Sequence, residues 1–384
     1  MAKIFDPLTI RGVALRNRLA VSPMCQYQAV DGVTSDFHLI HYGKFALGGF
    51  GLVMVEATGV SPEGRITHGD VGIWDDAHVE GLARIAASVK QNGAIPGIQI
   101  GHAGAKASLL RPWHGNSPVP EVPLVEGEER WPIVSASTIP MGEGWPVPVA
   151  LDADGLAKVR NDFANAACRA LKAGFDVLEI HCAHGFLLNS FLSPLTNKRT
   201  DDYGGSIDNR MRLPLEIAQE LRTIWPQDKP LFVRISAVDG SRMGWTIEDS
   251  VTFAKELAEI GVDVVDCSSG GFGVFDYPSG YGFQVPFAAR VREGARIKSM
   301  AVGLIVDPLQ AEAILENGEA DLVAIGHEAL RNPHFAVQAE QVLGAADPQS
   351  PFSSLAPQYG WWLNGRKQRL DRLGPLSLER DAAA

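Results

Sequence analysis

Two histidines, His181 and His184, stand three residues apart at the end of an apolar, β-branched run. A turn at this point aims both imidazole rings into one pocket, and three kinds of site fit such a pair. With an Asp or Glu from a neighbouring strand end as third ligand, the pair binds a metal ion. As two hydrogen-bond donors, it stabilises negative charge on a carbonyl oxygen or an oxyanion. As packed side chains it serves only the core, and the spacing alone leaves all three interpretations open.

Polar residues and glycines that follow other apolar runs narrow these interpretations. Gln99 and Arg234 provide an amide and a permanent cation, which suit the N–H and C=O edges of a flat heterocycle. Residues 22–25 expose backbone groups after the first run, and Gly303 and Gly326 end the last two runs, where β/α barrels often bind phosphate. A heterocycle at one end and a phosphate at the other describe a phosphorylated cofactor such as FMN. This combination weakens the case for a hydrolytic metal.

Eight short apolar runs alternate with amphipathic segments and must position these residues. The runs are residues 19–22, 52–56, 95–100, 177–181, 231–236, 262–268, 298–302 and 322–326. They lack polar–apolar alternation, as expected of parallel strands that are covered on both faces. The amphipathic segments, which predict helices, include residues 154–173, 210–224, 247–260, 308–316 and 332–343. Such an order fits either a closed barrel or an open doubly wound sheet.

The positions of the polar residues favour the barrel. The residues at or near the C-terminal end of a run are Glu56, Gln99, His181, Arg234, Ser268 and Gly326. A β/α barrel builds its active site from the C-terminal ends of many strands, whereas an open sheet uses one switch point. We therefore predict an α/β protein with a single (β/α)8 TIM barrel in residues 1–384. We expect segment 101–148, after strand 3, to form an extended loop over the barrel mouth, and segment 189–209 to form a second loop.

Charge and cysteine content argue against several classes of protein. A net charge of −11 gives no indication of nucleic acid or an anionic membrane surface. The sequence has no apolar run of membrane-spanning length and no basic stretch followed by an apolar core near its start. Its four cysteines, at positions 25, 168, 182 and 267, form no C-x-x-C pair, which argues against a disulfide framework, zinc or an iron–sulfur cluster. We expect a cytoplasmic protein whose ligands are small molecules.

Five longer motifs occur in order along the chain. They are Ser22-Pro23-Met24-Cys25-Gln26-Tyr27, Glu56-Ala57-Thr58, His181-x-Ala183-His184-Gly185, Asn197-Lys198-Arg199-Thr200-Asp201 and Tyr203-Gly204-Gly205-Ser206. These motifs resemble those of the Old Yellow Enzyme family, and the first resembles the family's bacterial thermophilic-like branch. The resemblance runs from about residue 5 to about residue 362, nearly the whole chain. It implies a TIM-barrel enzyme with tightly bound, non-covalent FMN that is reduced by NADPH or NADH.

The resemblance also implies a set of FMN-binding residues. They are Ser22, Pro23, Met24, Cys25, Ala57, Gln99, His181, Arg234, Gly303, Gly326 and His327. Backbone groups of residues 22–25 would flank the flavin ring, with Ala57 nearby. Gln99 would hydrogen-bond its pyrimidine edge, and Arg234 would lie near N1 and O2 and stabilise negative charge on the reduced ring. The backbone amides of the last three residues would hold the phosphate.

Catalytic roles follow from the same resemblance. His181 and His184 would bind the carbonyl oxygen of the substrate, which lowers the electron density at its β-carbon so that hydride from flavin N5 adds there. Cys25 would tune the flavin potential and shape the substrate site, and Tyr27 would point its hydroxyl into the same pocket. Nicotinamide and oxidant would use this pocket in turn. The expected oxidants are α,β-unsaturated carbonyls, maleimides, quinones and nitro compounds.

The sequence departs from the family's pattern at several positions. Phe186 stands where the family carries a tyrosine that donates a proton to the substrate α-carbon, and the loss of such help costs roughly 10²–10⁴-fold in rate. Water or Tyr27 would then supply the proton, or the substrate would be a quinone or nitro compound that needs none. His327 replaces a frequent arginine, so we expect FMN to bind with one weaker phosphate contact. Ala105 replaces another arginine, while Lys106 remains as a contact for substrate or nicotinamide.

The C-terminal tail, about residues 345–384, resembles a segment that contacts a neighbouring subunit in this branch. Trp361 or Trp362 would then lie near the neighbouring active site of a homodimer or homotetramer; alternatively both form a surface cluster on their own subunit. Three other functions stay open. They are a quinone or nitro reductase without efficient alkene reduction, a metal-dependent barrel hydrolase that uses His181 and His184, and a flavin-binding protein without turnover.

Overall fold

Eight parallel strands form one closed barrel. A computed structural model describes residues 2–272 and 279–373 of the chain. The barrel strands, which neighbour one another in chain order, are β1 (Leu19–Val21), β2 (Leu52–Gly59), β3 (Ile95–Gly101), β4 (Val177–Cys182), β5 (Leu231–Ser236), β6 (Val264–Ser268), β7 (Lys298–Ala301) and β8 (Leu322–Ile325). Because β8 pairs with β1, the sheet closes on itself. The predicted (β/α)8 TIM barrel is confirmed.

Most helices connect the strands along the outside of the barrel, and the last three follow β8. The helices are α1 (Asp36–Leu47), α2 (Val79–Gln91), α3 (Ala153–Lys172), α4 (Leu187–Leu192), α5 (Ile207–Ile224), α6 (Ile247–Ile260), α7 (Val285–Ala295), α8 (Pro308–Glu316), α9 (His327–Arg331), α10 (Phe335–Val342) and α11 (Pro357–Leu373). Their ends follow local chemistry: the Thr246 hydroxyl caps the start of α6, and Gly261, with φ of 98°, ends it. Within the described ranges, no helix is both long and apolar enough to cross a membrane.

Side chains of the strands alternate between two apolar cores. Val53 and Val55 belong to the larger core, between the barrel and its helices. Leu52 and Met54, on the opposite face of the same strand, belong to the core inside the barrel. A two-stranded hairpin in residues 8–15 contributes apolar side chains to this inner core. The hairpin therefore covers the N-terminal end of the barrel and leaves the C-terminal end as the mouth.

Three segments differ from the sequence predictions. The predicted loop 189–209 begins inside α4, whose six residues are all buried. The helix predicted from residue 332 begins only at Phe335, because Pro333 disfavours helical backbone at the residue before it. The strand predicted from residue 262 begins at Val264, because the N–H of Val262 donates to the Leu257 carbonyl in the turn that ends α6.

Candidate active site

A layer of buried polar side chains crosses the barrel interior below the mouth. Gln99 Nε2 on β3 donates to Glu179 Oε1 on β4 at 2.8 Å. Arg234 Nε on β5 lies 3.0 Å from Asp266 Oδ2 on β6. Burial raises the pKa of Glu179, Asp266 raises it further, and the Arg234 cation opposes both effects. The acidic partners therefore hold Gln99 and Arg234 in place at the floor of the mouth.

The two histidines form a connected pair above this layer. The N–H of Ala183 donates to His181 Nδ1 at 3.1 Å, which places the proton of the neutral ring on Nε2. His181 Nε2 lies 3.3 Å from His184 Nδ1, and His184 Nε2 lies 2.7 Å from Ser268 Oγ at the end of β6. His184 has φ of 63°, a left-handed backbone conformation that is uncommon for residues other than glycine. The turn thus brings both rings to one point.

One cavity, which we call the β7–β8 cavity, lies between the ends of β7, β8 and β1. It contains about 860 Å³ of space, part of it open to solvent. Its walls include Ser22, Pro23, Met24, His184, Arg234, Gly303, Gly326 and His327. A Cβ added to Gly326 would meet only Met24 Sδ, at 4.0 Å, so the backbone here faces open space. Backbone amides, glycines and a buried guanidinium suit a ligand that carries a phosphate and a polar ring.

A second cavity, which we call the mouth cavity, lies beside the first and encloses about 960 Å³, also partly open. Its walls are Tyr27, Ile66, Lys106, Leu109, Asn116, Met141, Trp145, His184, Phe186 and Gly271. Five of these residues belong to segment 101–148, which therefore folds over the mouth as predicted. The Phe186 ring centre lies 4.8 Å from that of His181. His184 is a wall of both cavities, so a ligand in either cavity would contact this residue.

Cys25 and Tyr27 lie on the loop after β1, next to Phe186 in an apolar cluster. The Tyr27 hydroxyl and the Cys25 thiol are close enough for each to shift the pKa of the other. Burial raises the pKa of Cys25, and the carboxylates of Asp70 and Glu56 raise it further, so the thiol keeps its proton at neutral pH. Burial likewise raises the pKa of Tyr27. Both side chains are therefore neutral hydrogen-bonding groups.

Three comparisons with known proteins agree with this geometry. The sequence profile of the NADH:flavin oxidoreductase / NADH oxidase family matches residues 3–345. NADPH dehydrogenase of Bacillus subtilis (strain 168) is 45% identical over 348 residues, which cover 90% of this chain and 96% of that protein. The chain belongs to the Old Yellow Enzyme family. It is accordingly an FMN oxidoreductase.

Other relatives extend this result. NADPH dehydrogenase of Geobacillus thermodenitrificans (strain NG80-2) is 46% identical over 346 residues, 89% of this chain and 94% of that protein. The solved structure of morphinone reductase in complex with tetrahydroNAD superimposes with a TM-score of 0.72 and 28% identity. That match covers 90% of this chain and 93% of the other.

The structure brings most of the predicted Old Yellow Enzyme residues to the mouth of the barrel. Ala57 lines a small pocket together with His181 and Phe186, beside the mouth cavity. Gln99 lies one layer deeper, bonded to Glu179. Cys25 packs behind Phe186 and does not line either of the two large cavities as described. The individual roles of these residues stay predictions.

Two predicted features lie apart from this site. Trp361 and Trp362 are on α11, with 69% and 62% of their surface exposed, and they contact each other edge to face. Residues 374–384 of the predicted tail lie outside the described residues. Metal ligation by His181 and His184 lacks a third ligand, because no group of three or more His, Cys, Asp or Glu side chains that could hold a metal occurs among the described residues.

His181 and His184 are both neutral near pH 7. Burial lowers the pKa of His181 and of His184 well below its ordinary value, and the cations of Arg234 and Lys106 lower both further. For both rings to donate to one substrate carbonyl, as the resemblance implies, His184 would carry its proton on Nδ1 and accept at Nε2. In the structure, by contrast, His184 Nδ1 faces the Nε2–H of His181 at 3.3 Å and is its acceptor. On carbonyl binding, the Ser268 hydroxyl can supply the hydrogen that His184 Nε2 then accepts, because its own oxygen already accepts from Gln284 Nε2 at 3.3 Å.

Replacement of Ser268 by alanine should weaken carbonyl binding roughly five-fold. The variant loses the partner that holds His184 in the donor tautomer, a loss on the order of 1 kcal/mol for one hydrogen bond. The concentration of 2-cyclohexenone that gives half the maximal rate of flavin reoxidation measures the effect. Ser269→Ala is the matched control, because Ser269 accepts from the same Gln284 Nε2, at 2.6 Å, without touching His184. Equal values for the two variants would contradict the assigned tautomer.

Two glycines join the loops after β4 and β6. A Cβ on Gly185 would lie 2.3 Å from the carbonyl oxygen of Gly271, and a Cβ on Gly271 would lie 2.3 Å from the nitrogen of Gly185. Their φ angles, 77° and 137°, are ones that other residues rarely adopt. The backbones are therefore in direct contact at one wall of the mouth cavity.

Sequence reasoning missed several supporting residues. The sequence identified Ser268 as a hydroxyl at the end of a strand. It did not predict the contact of Ser268 with His184, because that contact depends on the conformation of the turn after β4. Glu179 and Asp266 lie on apolar strands at positions that register places beside Gln99 and Arg234. Gln284 precedes α7 in a loop, where no pattern in the sequence distinguishes it.

Proposed function

We propose that this protein is an FMN-dependent NADPH oxidoreductase of the ene-reductase type, which reduces small conjugated electrophiles. The substrates are α,β-unsaturated carbonyls, quinones or nitro compounds. The observation that carries the proposal is the position of His184 on the wall shared by the β7–β8 and mouth cavities. A carbonyl bound by the two histidines is thereby held against the space that suits the cofactor.

Most of the residues that would hold FMN line the β7–β8 cavity, and Cys25, Ala57 and Gln99 lie outside its described walls. Amides at Gly303, Gly326 and His327 would bind the phosphate, and the loop of Ser22, Pro23, Met24 and Cys25, with Ala57, would flank the ring. Gln99 and Arg234 would bind its polar edge. Bound FMN supplies hydride at N5. Arg234 contributes a cation that is fixed by Asp266, so it favours negative charge at that edge.

NADPH is the reductant that relatives support. Two of them are named NADPH dehydrogenase, and the solved morphinone reductase complex contains tetrahydroNAD. The mouth cavity suits a nicotinamide because the carboxamide oxygen resembles a substrate carbonyl and would accept from His181 and His184. Reductant and oxidant would then bind there in turn, in a ping-pong cycle.

Phe186 favours a second function that can be tested against the first. Its ring occupies a wall of the mouth cavity and offers no proton to a substrate carbon. A quinone or nitro group takes its protons on oxygen, where solvent can supply them. The alternative is therefore a quinone or nitro reductase that reduces alkenes inefficiently.

An anaerobic oxidative half-reaction distinguishes the two functions. The protein is reduced with one equivalent of NADPH and mixed with 2-cyclohexenone or with a quinone, and flavin absorbance is followed. We expect rapid reoxidation by both oxidants. Reoxidation by the quinone alone would favour the alternative, and a protein that binds no FMN would contradict both.

We also propose that residues 1–384 form one domain whose tail, about residues 345–384, contacts a neighbouring subunit. The support is the exposed aromatic pair on α11, where Trp361 or Trp362 would cover an apolar surface near the neighbour's active site. The assembly would be a homodimer or homotetramer. A solution mass equal to one 41.3 kDa chain would contradict this proposal.

A further inference from the structure

Lys106 occupies a position in the mouth cavity that the established activity leaves without a role. It ends the short 3-10 helix Gly104–Lys106, after β3. Its Nζ donates to the carbonyl oxygen of His184 at 2.6 Å and lies 5.9 Å from the centre of the Phe186 ring. Lys106, His184 and Phe186 line the same cavity. An ammonium group carries three hydrogens, and the described protein acceptor takes one of them.

Reduction of an activated alkene requires a proton as well as a hydride. Phe186 has no acidic hydrogen. Burial raises the pKa of the Tyr27 hydroxyl, so this group holds its proton tightly. The neutral rings of His181 and His184 would donate to the carbonyl oxygen and not to the α-carbon, which lies two bonds away. Lys106 is the cationic side chain among the described walls of the mouth cavity.

We propose that the Lys106 ammonium donates the proton to the substrate α-carbon, in place of the tyrosine that Phe186 replaces. This inference rests on the proposed ene-reductase function. The substrate alkene takes a hydride at its β-carbon from reduced flavin, which NADPH has reduced, and becomes an enolate held by His181 and His184. A new C–H bond forms at the α-carbon as one N–H bond of Lys106 breaks. The neutral amine then recovers its proton from water.

The surroundings of Lys106 suit a proton donor. Burial lowers the pKa of Lys106 to about 8, so at neutral pH the amine is mostly protonated yet releases a proton readily. The titratable groups near it are His181, in β4, His184, after β4, and Tyr27, after β1. The histidines are neutral because burial lowers their pKa, and Tyr27 is neutral because burial raises its pKa. Lys106 is thus the group with a pKa near 8 among the described walls of the mouth cavity, whereas Glu56 and Glu179, whose pKa burial also raises to about 8, lie outside those walls.

Two substitutions separate proton donation from structure. Lys106→Met removes the ammonium, and Lys106→Arg keeps a cation and hydrogen-bond donors but holds its protons too tightly to release one. In the half-reaction with 2-cyclohexenone and a quinone, we expect the enone-to-quinone rate ratio to fall ~100-fold in both variants. A ratio restored by arginine would show that Lys106 only positions His184, and a ratio unchanged in both would also overturn the proposal.

A Phe186→Tyr substitution tests the same idea in the opposite direction. In the Lys106→Met background it should restore most of the enone rate, because it returns a phenol to the same wall. The enone rate of the wild-type protein should fall about ten-fold per pH unit above about 8, and that fall should be absent in the double variant. Persistence of the fall in the double variant would assign the titration to another group.

Product stereochemistry gives a readout that does not depend on rate. With 2-methyl-2-cyclohexenone, a fixed donor sets one configuration at the α-carbon, so we expect one enantiomer from the wild-type protein and a mixture from Lys106→Met. Equal enantiomeric purity would overturn the role of Lys106. A wild-type protein that reduces quinones but not enones would overturn alkene reduction itself, and the donor role with it. A wild-type protein that reduces enones while the lysine variants match it would overturn only the donor role.

Discussion

Leucine at position 326 is expected to abolish FMN binding. A Cβ at Gly326 faces open space in the β7–β8 cavity, with Met24 Sδ at 4.0 Å as its nearest neighbour. The leucine side chain would therefore extend into the volume that a phosphate must enter to reach the backbone amides of residues 303, 326 and 327. We expect the dissociation constant to rise ~100-fold or more, since both the amide contacts and the space are lost. Titration of the apoprotein with FMN, followed by quenching of flavin fluorescence, measures it.

The control for this experiment is the smaller substitution. Gly326→Ala adds one carbon where no atom lies within ordinary contact distance, so it should weaken FMN binding less than leucine does. Thermal unfolding of both apoproteins should match that of the wild-type apoprotein, since the added atoms lie in the cavity and not in the packed core. Wild-type affinity in the leucine variant would mean that the phosphate binds elsewhere.

Loss of either histidine should lower kcat/KM for 2-cyclohexenone by roughly 10²–10³-fold. In the proposed function, neutral His181 and His184 would be the two donors to the carbonyl oxygen, and one such donor typically contributes a factor of this size. The alanine variants should still bind FMN through the β7–β8 cavity. Steady-state rates with NADPH and varied enone measure the change.

His184→Asn is the matched control for this pair. Asparagine keeps an N–H donor and tolerates the left-handed backbone at this position, whereas alanine does neither. We expect it to recover part of the rate that His184→Ala loses. If both variants retain full activity with the enone, the carbonyl is bound elsewhere in the mouth cavity.

The strand ends show how far the sequence alone could go. Polar residues at the C-terminal ends of apolar runs identified the barrel and its active face, because parallel strands present those ends together. The partners of those residues were not accessible in the same way. Glu179 and Asp266 lie beside Gln99 and Arg234 because of the register between neighbouring strands, which the sequence does not give. Register is not regular throughout this barrel, since it shifts in β2 between Val55 and Thr58.

Two helices show the limits of polarity patterns. Helix α4 is buried along all six residues, so it has no polar face and no helical period to detect. Helix α10 was predicted to begin at residue 332, although the proline that follows this residue was visible.

The contact of Lys106 with His184 joins residues 78 positions apart through an irregular loop. No local pattern encodes such a contact.

The back-to-back contact of Gly185 and Gly271 has a practical meaning for redesign of the enzyme. Neither position admits even a methyl group, because each would collide with the main chain of the other loop. A mutant library aimed at a new substrate should therefore leave this pair alone. Diversity belongs instead at Ile66, Met141 and Trp145, whose side chains also line the mouth cavity.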